Sequence, residues 1–171
     1  VAVLLFVLAT HGAAPSGNAA ARRSVRELFA GRTSVHFYVG TLAVGLIVPA
    51  ALAIAERERA SGTALLNAVA LGYDLCCRFL LALDADHVRA SHRSAEGTSS
   101  TMGAVGAAAS LALLDEKGMR HALSYAAQQV SGLWSWVRDE DHVEKAFDFA
   151  GMGARNGVMA ATMAQMGFTG V

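Results

Sequence analysis

Charge is scarce in this chain, and what there is balances: 16% of its 171 residues are charged, 14 of them acidic and 14 basic. With no basic excess and no basic stripe, nucleic acid is excluded as an expected partner. Cysteine is almost absent. Cys76 and Cys77 are the two present, and adjacent cysteines make a poor structural staple. They read as reduced core thiols of an intracellular, cytoplasmic protein. The strong local signatures are missing as well: no phosphate-binding Gly-rich loop, no dinucleotide fingerprint, no HExxH and no CxxC pair. Alternating strand patterns are lacking apart from a weak run at Val35–Val39, and no repeat of the length that marks a solenoid is present.

What the chain does have is apolar residues, 54% of the total. Val1–Thr10 is apolar but short and has no positive region before it, which makes a poor signal peptide. Gly40–Ala55 falls short of the roughly 18 residues that a membrane span requires. Pro49 interrupts it, and Glu56, Arg57, Glu58 and Arg59 follow at once. Pro49 is expected as the first residue of a soluble helix, where its missing N–H costs nothing. No membrane partner is expected.

The remaining pattern is helical almost throughout, and the length suits one domain with a real core. Arg22–Ala30 is a short amphipathic piece, and Gly12–Asn18 is the one linker-like segment. Pro49–Ala60 predicts a helix with a charged, solvated end. Ser61 is a plausible N-cap for a helix over Ala64–Leu83, with Leu65, Val69, Tyr73, Cys76 and Leu80 on one face. Asp84–Ser100 reads as a polar loop or short helix. Met102–Leu114 contains Gly103 and Gly106, and a glycine inside a helix costs up to about 1 kcal/mol against alanine. Their presence implies a close-approaching neighbour. Asp115 caps a helix through Val130, with Met119, Ala122, Leu123, Ala126 and Val130 inward. A last helix is expected to pack Met152, Met159, Met163 and Met166 inward and to stop at Gly167, with Phe168 completing a Schellman-type cap. The fold class is all-α, a tightly packed Gly/Ala/Met-rich bundle.

Candidate chemistry is sparse. Asp84, Asp86, His87 and His92 lie close in sequence, but their spacing matches no standard metal set, and a solvated helix end is the plainer reading. No metal and no cofactor is expected. Lys145 sits between the acids of Asp139–Glu144 and an apolar helix start. It is either a point charge for a bound carboxylate or a surface lysine paired with Glu144 or Glu140. Asp148 is a cap or a base. Arg155 is a solvated side chain or a second anion contact. Trp134 and Trp136 flank the turn between the last two long helices, with core or interface packing as their default.

Four stretches, taken in order and spacing, resemble the MmgE/PrpD family. They are Val48–Glu56 (VPAALAIAE), Ala60–Tyr73 (ASGTALLNAVALGY), Thr101–Ala109 (TMGAVGAAA) with the Asp115 helix and Ser131-Gly132-Leu133 behind it, and the ending Lys145, Ala154–Val158 (ARNGV) and Gly167–Gly170 (GFTG). The resemblance covers about residues 39–171, part of the family's helical domain, and leaves 1–38 unassigned. It implies a lyase that acts on small di- or tricarboxylates such as 2-methylcitrate, without metal or organic cofactor, usually as a homodimer. Other members are cis-aconitate decarboxylase and iminodisuccinate epimerase. Their chemistry is proton abstraction beside a carboxylate, which needs a positioned base and cationic groups to hold the carboxylates. Lys145 matches the family's lysine before the Gly/Ala helix.

The departures are specific. The family's Asp-Asp-x-x-His-type segment, which lies between a Gly-Thr-Leu-Ala-like helix and the Val-Pro-Ala-Ala-Leu helix, has no counterpart, because Gly40–Ala43 runs almost directly into Val44–Pro49. Strict register puts Ser94 where the family has the histidine of a His-Pro motif, with His92 two residues earlier. Where many members have Lys-x-x-His, this chain has Lys145-Ala-Phe-Asp148. Lys145 and His92 are therefore the expected catalytic residues, and Ser94, Asp148 and Arg155 the expected substrate contacts. A piece of the helical domain lacking one acid/base segment is expected to be impaired, because groups that act as a unit fail together. The alternative is a non-catalytic helical module that uses its Gly/Ala/Met faces for dimerisation or domain contact.

Overall fold

The centre of the molecule is a helix that no hydrophobic stripe announces. Ala95–Leu111 is buried on every side except at Thr98 and Ser110, so it carries small residues all round. A helix apolar all round belongs in the middle of a protein. The computed structural model describes residues 47–130 and 132–171, which fall within one compact unit, Leu42–Val171. The expectations for Val1–Thr10, Gly12–Asn18, Arg22–Ala30, Val35–Val39 and Gly40–Ala43 lie outside the described residues.

In chain order the described elements are α1 (residues 47–58), α2 (Gly62–Leu83), α3 (Ala85–Ala90), α4 (Ala95–Leu111) and α5 (Glu116–Gln129). A 3-10 turn, Trp134–Arg138, then leads to α6 (Val143–Ala146), a π-helical segment (Phe147–Met152) and α7 (Gly153–Gln165). Among the described residues there is no strand, and one isolated antiparallel bridge joins Arg93 to Leu133. The all-α expectation holds. Helix α4 packs against α2, α5 and α7.

Glycine sets the spacing. A Cβ built on Gly72 of α2 would lie 2.8 Å from the carbonyl oxygen of Gly103, and one on Gly103 would lie 2.7 Å from that of Gly72. Ile47 of α1 closes over the same spot, its Cγ2 2.6 Å from the Gly72 position. On the other side of α4, a Cβ on Gly157 of α7 would meet Ala104 Cβ at 2.5 Å and Val105 N at 2.6 Å. Backbone therefore touches backbone on both sides. The helix cost of each glycine is offset by dispersion contacts that no larger residue would allow. The hydroxyls buried in α4 bond back to its own carbonyls, Ser99 to Ala95 at 2.9 Å and Thr101 to Gly97 at 2.8 Å, so none needs an outside partner.

The predicted caps are present. The Ser61 side chain accepts from Ala64 N at 3.2 Å, and Asp115 Oδ1 accepts from Gly118 N at 2.7 Å. At the end of α7, Gly167 has φ +90°, and Phe168 N donates to Met163 O at 3.0 Å, the long bond of a Schellman motif. Phe168 then meets Tyr125 edge-on, with ring centroids 6.4 Å apart. The inward faces of α2 and α5 are the expected ones, and Cys76 is buried in the core with Cys77 half-buried beside it, both as free thiols.

Three local expectations are corrected. The polar stretch 84–100, read as a loop or short helix, does hold the short helix α3, but its last six residues are the first turns of α4, which starts at Ala95 rather than Met102 and ends at Leu111 rather than Leu114. Of the four methionines expected inward, Met152 is buried and Met163 half-buried, but Met159 and Met166 are exposed, and the buried face of α7 is Gly153, Asn156, Gly157, Ala160 and Ala161. Small residues win that face because α4 approaches too closely for methionine. The backbone is already helical at Ile47, so Pro49 lies inside α1 rather than opening it. Helix α2 is long and apolar enough, by length and composition, to cross a membrane. One face of it packs on α4, and its outer face carries the Asp74–Arg78 ion pair at 2.7 Å.

Candidate functional site

The polar groups of the interior gather where α4 begins. Ser94 is its N-cap, with extended backbone, and its Oγ accepts from Gly97 N at 2.9 Å. The same hydroxyl donates to Asp148 Oδ2 at 2.6 Å, across 54 residues of sequence. Ser94 is fully buried and Asp148 nearly so. The main chain of Ser94 donates to Gly132 O at 3.0 Å, and Trp134 N donates to His92 O at 3.0 Å, so residues 92–94 and 132–134 pair as two short antiparallel stretches. Gly132 has φ +112°, and a Cβ there would fall 2.2 Å from Asp148 Oδ1. The turn therefore requires glycine on two counts, conformation and space.

Asp148 sits in the π-helical segment, a form found mostly as short bulges at functional sites. Burial pushes its carboxyl up to about 6; the Ser94 hydrogen bond opposes that shift, and the nearby acids Glu96 and Glu144 add to it. Glu96 is itself buried, in the first turn of α4, where it pairs with Arg89 of α3. Glu96 Oε2 and Arg89 Nε are buried without a hydrogen-bond partner in the structure. The Arg89 guanidinium lies over the Trp134 ring, 5.0 Å from its centroid, and Trp134 meets Trp136 edge-on at 4.6 Å. Trp134 thus covers the Arg89–Glu96 pair at the junction.

Of the five residues singled out from sequence, the structure brings two into contact, Ser94 and Asp148. Lys145 is half-buried; its Nζ donates to Asp139 O at 2.8 Å and its main-chain N to Asp139 Oδ2 at 3.0 Å. Neither Glu144 nor Glu140 takes its ammonium in the ion pairs of the described residues, and Glu144 accepts from Ser135 Oγ at 3.1 Å instead. The Lys145 amide holds the Asp139 carboxyl below the usual carboxylate range. His92 is exposed at φ +60°, on the turn that follows α3. Arg155 is exposed on α7, bonded to Asn156 Oδ1 at 3.0 Å, and it lines an apolar groove between α1 and α7 with Pro49, Ala53, Met159 and Met163. Asp84 caps α3, its Oδ1 accepting from Asp86 N at 3.2 Å. Among the described residues no group of three His, Cys, Asp or Glu side chains could hold a metal ion.

Sequence reasoning passed over Gly132, Glu96 and Arg89. Gly132 carried a signal, a glycine between the end of a helix and an aromatic turn. Glu96 carried a weaker one, an acid two residues beyond a serine that could cap. Nothing local marked Arg89, because its partners come from α4 and from the 3-10 turn.

A helical core built on close backbone contacts, with a polar junction at the end of its central helix, matches a described protein class. The MmgE/PrpD N-terminal domain model matches residues 36–171, and the chain belongs to the MmgE/PrpD family. That is a family of dehydratase-like enzymes. No curated protein and no solved structure matched the chain.

Proposed function

We propose that this chain carries the carboxylate-holding part of an MmgE/PrpD-type lyase that acts on small di- or tricarboxylates, with 2-methylcitrate the first substrate to try. The observation behind this reading is the setting of Lys145. Its ammonium rests on a neutral main-chain carbonyl, and none of the described ion pairs includes it. An ammonium held by a carbonyl still has N–H donors to offer an incoming carboxylate, with the Asp139 carboxylate as the charge it already feels. His92, exposed on the turn that pairs with Gly132–Trp134, is the group proposed to move the proton. Ser94 and Asp148, at the buried start of α4, and Arg155 on α7 are proposed as the further substrate contacts. The reaction removes a proton beside a carboxylate and expels water. The reading takes the protein as a cytoplasmic homodimer working without cofactor.

A thermal-shift titration with citrate, 2-methylcitrate and cis-aconitate tests it, together with the ultraviolet absorbance of an unsaturated product. A ligand at a hundred times its Kd stabilises by about 2.7 kcal/mol, a visible shift in a domain of this size. The shift should vanish in Lys145→Ala. No shift with any of the three in a cooperatively melting protein would discard the lyase reading. A second reading, a non-catalytic interaction module, draws on the exposed leucines of α2, among them Leu66, Leu71 and Leu81. Concentration-dependent association lost in Leu66→Lys, with no ligand shift, would favour it.

A further inference from the structure

We infer that the Ser94–Gly132–Asp148 junction is a protonation-controlled latch, closed on a neutral Asp148 and loosened when that carboxyl ionises. The inference does not rest on the lyase reading. It rests on what meets at one buried side chain: the start of α4 through Ser94, the turn at Gly132, and the π-helical segment through Asp148 itself. Three segments distant in sequence are held by a hydroxyl–carboxyl bond of 2.6 Å and a glycine with no space for a methyl group.

The electrostatics around the junction make ionisation costly. Asp148 is nearly buried, and the charged groups that act on it are both acids, Glu96 of α4 and Glu144 of α6. The near cation, Arg89 of α3, is already committed to Glu96. Among the described residues Ser94 supplies the side-chain hydrogen bond to Asp148, and a hydroxyl is weak compensation for a buried carboxylate. The neutral acid, by contrast, fits without an uncompensated charge. What moves on opening is the segment whose geometry is least regular, Phe147–Met152, which links α6 and Lys145 to α7. A π-helical turn re-forms as α-helix or frays with modest backbone change.

The direction with pH follows from the sign of the shift. The folded carboxyl titrates near 6 against an ordinary 3.8. The stability contributed by this proton is therefore fully present below about pH 4 and is lost as pH rises through about 6. The latch is closed on the acid side and weakened at neutral pH, the reverse of a salt-bridged carboxylate.

The chain's two tryptophans, Trp134 and Trp136, both lie in the turn that leaves Gly132, so intrinsic fluorescence reports this junction. A titration of the full chain from pH 4.5 to 8 should show a change in emission centred near 6. Asp148→Asn keeps the shape and removes the charge, and its emission should stay flat and match the acid form of the wild type. That variant also separates Asp148 from His92 and His142 in the adjoining loops. A flat wild-type titration, or the same transition in Asp148→Asn, would overturn the latch. Should the variant not fold, hydrogen exchange of the wild type decides. Corrected for intrinsic rates, protection across residues 143–152 should fall by up to about tenfold between pH 5 and 7.5, one pKa unit's worth of free energy at the most. Equal protection at the two pH values would sink the proposal.

Discussion

Where α7 crosses α4, the atoms that leave no room at Gly157 are Ala104 Cβ and the Val105 amide nitrogen. At Gly132, the nearest atom in the way is a carboxyl oxygen of Asp148, with Ser94 Cβ next at 2.9 Å. Both glycines permit close approach, but the first contact is apolar and made between rigid helices, while the second is polar and made between a turn and an irregular segment. The helix contact responds to volume alone. The junction responds to volume and to charge, so pH should reach one region and not the other.

Gly157→Val tests the first region with the largest expected effect. Its side chain would have to push two backbones apart, and a loss of about 3 kcal/mol or more is expected in urea unfolding. No truncation of a single neighbouring side chain should rescue it, because backbone is among the atoms in the way. Gly132→Ala comes next, at about 2–3 kcal/mol, from positive φ together with the collision on Asp148. Here rescue is possible: in a double-mutant cycle, Asp148→Ala should recover part of the cost, a coupling of about 1 kcal/mol or more. Strict additivity of that pair would break the comparison between the two glycines. Ser94→Ala removes a cap and the Ser94 hydrogen bond to the Asp148 carboxyl, and about 2 kcal/mol is expected, larger at pH 7.5 than at pH 5 because the hydroxyl tempers the ionised form. Asp115→Ala, at the exposed cap of α5, is the smallest and serves as the control, at about 1 kcal/mol.

How much of this was legible beforehand differs between the two regions. Gly103 and Gly106 implied a close neighbour because glycine inside a soluble helix needs a reason, and α2 supplied it. The caps at Ser61 and Asp115 and the stop at Gly167 were readable because each depends on a few adjacent residues. The methionine periodicity of the last helix misled. It recorded residues that share a face, but which face turns inward was decided by α4, whose backbone admits Ala160 and Gly157 and leaves Met159 outside. Family membership was readable for a different reason, since it rests on the order and spacing of several weak segments rather than on any one.

The junction was only half visible. Ser94 and Asp148 were each flagged by register against family motifs, the one in place of a histidine and the other at the end of Lys145-Ala-Phe-Asp148. That they would bond to each other was not readable, because 54 residues separate them and no local pattern encodes the pairing. Lys145 went the same way: its sequence neighbours suggested an ion pair with Glu144 or Glu140, and its ammonium instead found the Asp139 carbonyl.

Sequence alone determined the all-α class, the helix caps, the family and the small-residue character of the core, because each depends on local propensity or on the order of segments along the chain. Only the tertiary structure decided which face of α7 is buried, that Gly132 must be glycine, and that Asp148 shares a buried junction with Ser94 and Glu96. Those outcomes depend on which surfaces the packed helices bring together, and on how little water remains to solvate a carboxylate between them.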